Sequence, residues 1–344
     1  MLRVSITMIA SGVPMSTSVS TSYSAETHPL EGIVPEIERT ILDPIIADIE
    51  RLKRERNAVV LAHNYMTPDI FYGVADLRGD SLQLARMASD TDADVIVMAG
   101  VHFMAETAKI LSPDKTVLIP DERAGCSLAE SITAADIERL RAEHPGAPVC
   151  VYVNTSAAVK AAADITCTSS NAVDVVNSLG TDKVLFLPDQ FLADWVATQT
   201  DVEIISWAGA CEVHERFTGP ELAEYRTSHP GIQIIAHPEC PPDVLAEADY
   251  VGSTSGMTRW VSDRQPEQVV MVTECSMADN VAEAAPHTEF LRPCNMCPHM
   301  KRITVHNIRT ALEDLVHPVE VDPAIAADAR AAVEAMLDVG PPAR

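Results

Sequence analysis

The chain is short of positive charge. Fifty acidic residues face 25 Lys and Arg in 344 residues, a net charge of -25, which repels nucleic acid and anionic lipid and argues against a polyanion partner. No basic patch or basic helix offsets this, so an anionic ligand would have to be held by backbone N–H groups, hydroxyls or a metal. Long apolar runs are missing too. None reaches the roughly 18 residues a membrane span needs. The eight cysteines include one CxxC pair, Cys294 and Cys297, and without a second pair a four-cysteine zinc ribbon is excluded. The other cysteines are too scattered, in too long a chain, for the disulfide framework of a small secreted domain. Nor is there a repeat of about 20 to 50 residues, which would mean a solenoid. With 47% hydrophobic residues and enough length for a large core, a soluble cytoplasmic enzyme is the expected class.

A longer repeat is present. Cys126, Cys211 and Cys297 lie 85 and 86 residues apart, long enough for a small α/β layer unit per copy. Each copy opens with an apolar run ending in polar residues, at 59–65, 149–154 and 232–239, and reads as a buried strand whose tip faces a cleft. Hydroxyl-rich turns that start helices follow at 79–81, 168–171 and 253–256. A second strand comes next, at 94–99, 183–187 and 268–273, and then a helix beginning near Phe103, Phe191 or Met277. From first polar tip to cysteine the counts are 63, 59 and 60 residues.

The expected organisation is a disordered tail over 1–35, a covering helix over 36–57, α/β units over 58–147, 148–231 and 232–317, and a C-terminal helix and tail over 318–344. The tail carries Pro14, Pro29 and Pro35, only weakly resembles a signal peptide, and contains Met15 as an alternative start. The covering helix is marked by the stripe Ile37, Ile41, Ile45, Ile49 and Leu52.

Three thiolates at matching places suggest one shared centre. Four protein ligands close a metal site, whereas three leave a position open for water or substrate; on a 4Fe–4S cluster they leave one iron free as a Lewis acid. A single buried cysteine is more often packing, and a lone strand-end histidine or a serine turn is more often structural. Recurrence in three copies favours the ligand reading. Cys150 reads as core, Cys167, Cys240 and Cys275 have no partner at metal spacing, and the Cys294–Cys297 pair reads as half a zinc site or a redox pair. A mononuclear zinc hydrolase and a non-catalytic iron–sulfur sensor or carrier remain as alternatives, though a carrier needs no polar strand tips around its cluster.

Several motifs, in this order, resemble the quinolinate synthase family of bacterial NAD biosynthesis: AHNY at 62–65, GDS at 79–81, FMAETAKIL at 103–111, GCSLAE at 125–130, YVNTSAAVKA at 152–161 and CTSSNA at 167–172. CEVHE at 211–215, HPEC at 237–240, GSTSGM at 252–257 and CPHMK at 297–301 complete the set. The resemblance implies three similar α/β/α domains related by a pseudo-threefold axis around a central 4Fe–4S cluster, one per chain, held by Cys126, Cys211 and Cys297. Cys297 is preferred to Cys294 because the family motif puts the ligand immediately before Pro. The implied substrates are iminoaspartate and dihydroxyacetone phosphate, condensed to quinolinate with loss of phosphate and water, with functional coupling to an iminoaspartate-producing enzyme.

That chemistry needs a general acid–base pair and a Lewis acid. His237 and Glu239, two apart on a strand and so on one face, are expected to shuttle protons. His63 and Tyr65 share the same relation and are expected to orient the carbonyl or phosphate-bearing substrate. Tyr152 and Asn154 would hydrogen-bond a carboxylate. Ser81, Ser169 and Thr254 open helices whose N–H groups and hydroxyls can bind anions without net positive charge. His214 and Glu215 are expected to support the cluster from behind its ligands. His28, His102, His144, His229, His287, His299, His306 and His317 have no counterpart across the copies and stay outside the expected site.

Overall fold

In a computed structural model, residues 28–339 are described. The first 27 residues, which hold most of the expected tail and the alternative start, lie outside them. Residues 28–35, assigned to the tail on sequence, instead turn into the protein, and Leu30 is fully buried.

Twelve strands form three four-stranded sheets. The first contains β1 (Ala58–His63), β2 (Leu77–Gly79), β3 (Val95–Ala99) and β4 (Thr116–Leu118). The second contains β5 (Val149–Tyr152), β6 (Ile165–Cys167), β7 (Lys183–Leu187) and β8 (Glu203–Ser206). The third contains β9 (Gln233–Ala236), β10 (Tyr250–Val251), β11 (Gln268–Val272) and β12 (Glu289–Leu291). Their orders are β2-β1-β3-β4, β6-β5-β7-β8 and β10-β9-β11-β12, one arrangement three times over. All named pairings are parallel, with Ala58 opposite Val95, Val149 opposite Leu185 and Val269 opposite Gln233. Parallel strands covered on both faces need near-continuous apolar sequence, and the central strands β1, β3, β5, β7, β9 and β11 are buried almost throughout.

The same aspartate bracket ties the first crossover of each sheet. Asp76, Asp164 and Asp249 accept from the N–H groups of Val60, Val149 and Ile234 at 2.8, 2.7 and 2.8 Å. Their own N–H groups return bonds to the carbonyls of those residues. A basic residue faces each carboxylate: Lys53 at 2.7 Å, Arg141 at 3.0 Å and Arg226 at 3.1 Å. An Ala–Asp pair twelve or thirteen residues after the first polar tip of each copy encodes the bracket.

The Glu36–Arg56 helix ends at Asn57 in the left-handed conformation and packs on β1 and on the Val305–Asp314 helix. Ile45, Ile46, Ile49 and Leu52 are buried. Ile37 and Ile41, expected in the same stripe, are 75% and 64% exposed. The Pro323–Asp338 helix returns to the Ala157–Ala162 helix and β6, and also touches the His102–Leu111 helix. It therefore joins the first two repeats. Among the described residues no helix is long and apolar enough to cross a membrane.

Removing the bracket orphans a buried backbone donor. Asp164→Ala leaves the fully buried Val149 N–H unpaired and should lower stability by about 1–3 kcal/mol, whereas Arg141→Ala, which removes a half-buried partner and strands no buried donor, should cost under about 1 kcal/mol. Urea unfolding of both variants checks this; equal, small effects would refute the bracket's structural role.

Candidate active site at the three-cysteine centre

Parallel strands present their carboxyl ends to one side, where ligands of open α/β sheets bind. His63 and Tyr65 follow β1, Tyr152 and Asn154 lie at the end of β5, and His237 and Glu239 follow β9. Ser81, Ser169 and Thr254 follow the outer strands β2, β6 and β10. All of these residues, with Cys126, Cys211 and Cys297, line a single pocket.

The three cysteines are delivered by one recurring backbone device. Two residues before each, a carbonyl is pinned by the first turn after a central strand: His102 N to Ala124 O at 2.7 Å, Gln190 N to Gly209 O at 2.9 Å, Cys275 N to Asn295 O at 3.1 Å. Each cysteine carbonyl then accepts from the fourth residue on, from Glu130, Glu215 and Lys301 at 3.1, 3.0 and 3.1 Å. Each sulfur thus sits at the opening of a helical turn, facing backbone N–H groups of Leu128 and Ala129, of Val213 and His214, and of His299 and Met300.

Burial pushes the Cys126 thiol up to about 12, the backbone N–H groups opposing it only in part. Burial likewise raises Cys297 and holds Cys211 well above its ordinary range, with Glu239 adding to the effect at Cys211. Cys297 raises Cys126 and Cys126 raises Cys211 by charge, so the three sulfurs on this pocket wall lie within electrostatic reach of one another. No Lys or Arg lines the pocket. Three such thiolates together are stable only around a cation, and hydrogen-bonded sulfur donors in a dry cavity fit a thiolate-ligated metal or iron–sulfur centre. Sγ of Cys211, a ring nitrogen of His214 and a carboxylate oxygen of Glu239 also lie within 4.8 Å of one another. The His214 Nδ1 to Glu239 Oε2 distance of 2.7 Å is that of a hydrogen bond, so this group reads as a paired cluster rather than a second metal site.

Hydrogen bonds cross between the repeats around the pocket. Tyr152 donates to Glu239 Oε1 at 2.5 Å, and His237 Nε2 lies 3.2 Å from Ser169 Oγ. Asn64 Nδ2 donates to Thr254 Oγ1 at 2.9 Å, and Ser170 Oγ to Asp80 Oδ2 at 2.6 Å. The Tyr65 hydroxyl and Thr273 Oγ1 are 2.6 Å apart. Asn154 Oδ1 is buried without a protein partner, an acceptor at the pocket wall available to a ligand. Burial pulls His63 down to about 4 and His237 to about 3, outweighing the attraction of Asp80 and Glu239 on the former and of Glu239 on the latter. Both rings are therefore neutral at pH 7. Burial alone would raise Glu239, but the His237 and His214 rings and the hydrogen bonds from His214 and Tyr152 hold its carboxyl well below the usual range. Glu239 is the negative charge of the resting pocket, and burial together with that charge holds both Tyr65 and Tyr152 in the phenol form.

Some expectations need correction. His214 does back its cysteine, with Nδ1 3.2 Å from Cys211 Sγ, and also reaches further into the pocket than expected: it stacks on His237 at 4.7 Å, and its Nε2 lies 3.0 Å from Thr273 Oγ1. Its neighbour Glu215 is exposed and points away. His299, left out on sequence, lines the pocket beside Cys297 and pairs with Glu212 at 2.9 Å. Cys294 is no metal half-site with Cys297; it forms a disulfide with Cys275, which had been given no partner. The fold brings residues 19 apart to a Cα separation of 4.9 Å, because the loop after β12 runs alongside the end of β11. Thr273, at the end of the expected strand 268–273, was not singled out as a site residue.

The sequence matches the profile of the family described as quinolinate synthetase A protein over residues 47–338. Among curated proteins it is 61% identical to quinolinate synthase 1 of Mesorhizobium japonicum over 307 residues, 89% of this chain and 95% of that one. It is 62% identical to quinolinate synthase of Xylella fastidiosa over 304 residues, 88% of this chain and 90% of the relative. With quinolinate synthase of Agrobacterium fabrum the identity is 61% over 89% of both chains.

The two neutral histidines set an acid limit. An unfolded chain takes up protons at its imidazoles below about pH 6.5, while the folded pocket refuses them until about 4 at His63 and about 3 at His237. More protons on the unfolded state means stability falling with pH. Urea midpoints should drop between pH 7 and pH 5, and the drop should be smaller in His63→Asn and His237→Asn. An unchanged pH slope in both variants would contradict the neutral assignment.

Proposed function

Since the chain belongs to the quinolinate synthase family, we propose that it condenses iminoaspartate with dihydroxyacetone phosphate to quinolinate, releasing phosphate and water, on a 4Fe–4S cluster held by Cys126, Cys211 and Cys297. The observation that carries this reading is the threefold cysteine turn, one sulfur per repeat, opening on a single pocket without a basic residue. Bound there, the cluster supplies a Lewis acid at the iron that no protein ligand occupies.

The rest of the chemistry falls to the chain's own residues. Glu239, ionised and hydrogen-bonded by Tyr152 at Oε1 and His214 at Oε2, is the base that takes the proton lost in carbon–carbon bond formation. Neutral His237, next to it on the strand end, passes protons between adjacent carbons. Tyr65 and Tyr152, kept as phenols, return protons to departing hydroxide. His63 and Tyr65 orient the phosphate-bearing ketone, while Tyr152 and Asn154 hold a carboxylate. Ser81 and Thr254, the first residues of their helices, add hydroxyls and helix-opening N–H groups for the anionic ends, and Ser169, in the turn before its helix rather than opening it as expected, adds a hydroxyl.

On this reading the protein is a carbon–carbon bond-forming transferase, coupled in function to the enzyme that makes labile iminoaspartate. A cytoplasmic location suits the six cysteines that are free, the three of the centre among them, since reducing compartments preserve thiols; the Cys275–Cys294 disulfide is the exception.

Anaerobically prepared protein should form quinolinate from the two substrates. Cys126→Ala, Cys211→Ala and Cys297→Ala should each abolish product, and Cys294→Ala should not. Full activity in Cys297→Ala with loss in Cys294→Ala would reverse the ligand assignment.

A further inference from the structure

The third repeat carries a buried ion pair that the shared scaffold does not require. Glu274 follows β11, and its side chain is wholly inaccessible. Its Oε1 accepts from Lys301 Nζ at 2.8 Å and from Cys297 N–H at 3.2 Å, and its Oε2 from Ser276 N–H at 2.8 Å. Lys301 donates in addition to Tyr65 O at 2.8 Å and Ser276 Oγ at 2.7 Å. All three ammonium protons are thus engaged. The counterparts of Glu274 at the ends of β3 and β7 are Val101 and Asp189, and Asp189 Oδ1 caps the Gln190–Ala197 helix. Four residues past the other two cysteines stand Glu130 and Glu215, both exposed. Only the third copy puts a cation there.

We propose that Glu274 and Lys301 are positioning residues that set the cysteine centre and the first-repeat tyrosine in a common register. The carboxylate holds the Cys297 backbone, the ammonium holds the Tyr65 backbone, and the two hold each other. Tyr65 is gripped a second time through its hydroxyl by Thr273, the residue before Glu274. A shift of the Cys297 turn therefore moves Tyr65 with it, across the boundary between third and first repeats. Glu274 forms part of the pocket wall with its carboxylate fully engaged, and Lys301 lies outside the lining, so the pair's influence is on placement. Removing one partner strands a buried charge; removing both leaves none. This inference deepens the proposed function and rests on it for the role of the centre, but the pairing has a metal-free readout.

The test uses the full chain as wild type, Glu274→Gln, Lys301→Met and the double variant, each checked for folding by circular dichroism. In reduced, cluster-loaded protein the expected result is a shifted or broadened electron paramagnetic resonance signal. The kcat should fall on the order of 10²-fold, as misplacement by about 1 Å can cause, while KM changes little. The double variant should be no worse than either single one, since the residues act as a unit. In metal-free protein, Cys297 should react with iodoacetamide several-fold faster in Lys301→Met than in wild type, by mass spectrometry.

Wild-type resonance, kcat within about twofold and unchanged alkylation in Lys301→Met would overturn the proposal. Should the single variants fail to fold, the double variant decides: wild-type behaviour on all readouts overturns it, and a shifted signal with faster alkylation upholds it. Absence of any iron–sulfur signal from wild type would instead count against the cluster, with the alkylation rates still deciding the pairing.

Discussion

Bringing three half-buried cysteines, one from each repeat, to the wall of one pocket is the constraint on which the rest of the structure depends. A lone thiolate in a dry pocket is unstable, and the raised titration of Cys126 states this physically. Three of them next to an ionised Glu239 would repel strongly unless a cation lies between. The fold invests its symmetry in meeting that demand. One strand order occurs three times, one Asp bracket fixes each crossover, and one backbone bond pins each cysteine turn two residues before its sulfur. Parallel strands are what make this workable, because they send every polar tip to the same side of each sheet.

The same geometry would let so acidic a chain hold the anionic substrates proposed for it. The pocket offers hydroxyls, helix-opening N–H groups, neutral imidazoles and an unpartnered Asn154 acceptor rather than Lys or Arg. A positive centre at the three sulfurs would supply the missing charge where bonds change, and dipoles would do the holding elsewhere. Cross-repeat bonds such as Tyr152 to Glu239 and Asn64 to Thr254 mean that no single repeat contains the pocket. Each contributes an edge.

Much of this was legible in the sequence because repetition removes ambiguity that single residues leave. The period between cysteines, the apolar runs of β1, β5 and β9, and the hydroxyl turns recur at matching offsets, and their residues meet in one pocket. What escaped had no such redundancy. His214 has Leu128 or Ala129 and Met300 or His299 as rough counterparts, so no pattern marked it. Thr273 sits where an apolar run merely seems to end. The edge strands β2, β6, β10 and β12 span only two or three residues each, too short for periodicity to register, although the recurring Ala–Asp pairs announce the first three. The Cys275–Cys294 disulfide depends on two loops running side by side, which spacing along the chain does not encode. Ile37 and Ile41 fit a helical stripe, yet both face solvent, because periodicity marks a face without showing how far along it the core extends.

The most direct test of the central claim is the iron and acid-labile sulfide content of the full chain after strictly anaerobic purification. Iron and sulfide in equal amounts, matching one 4Fe–4S cluster per chain and lost on replacing any one of the three converging cysteines, is the predicted result. Zinc without sulfide would contradict the account and leave the three thiolates as ligands of a different kind of enzyme.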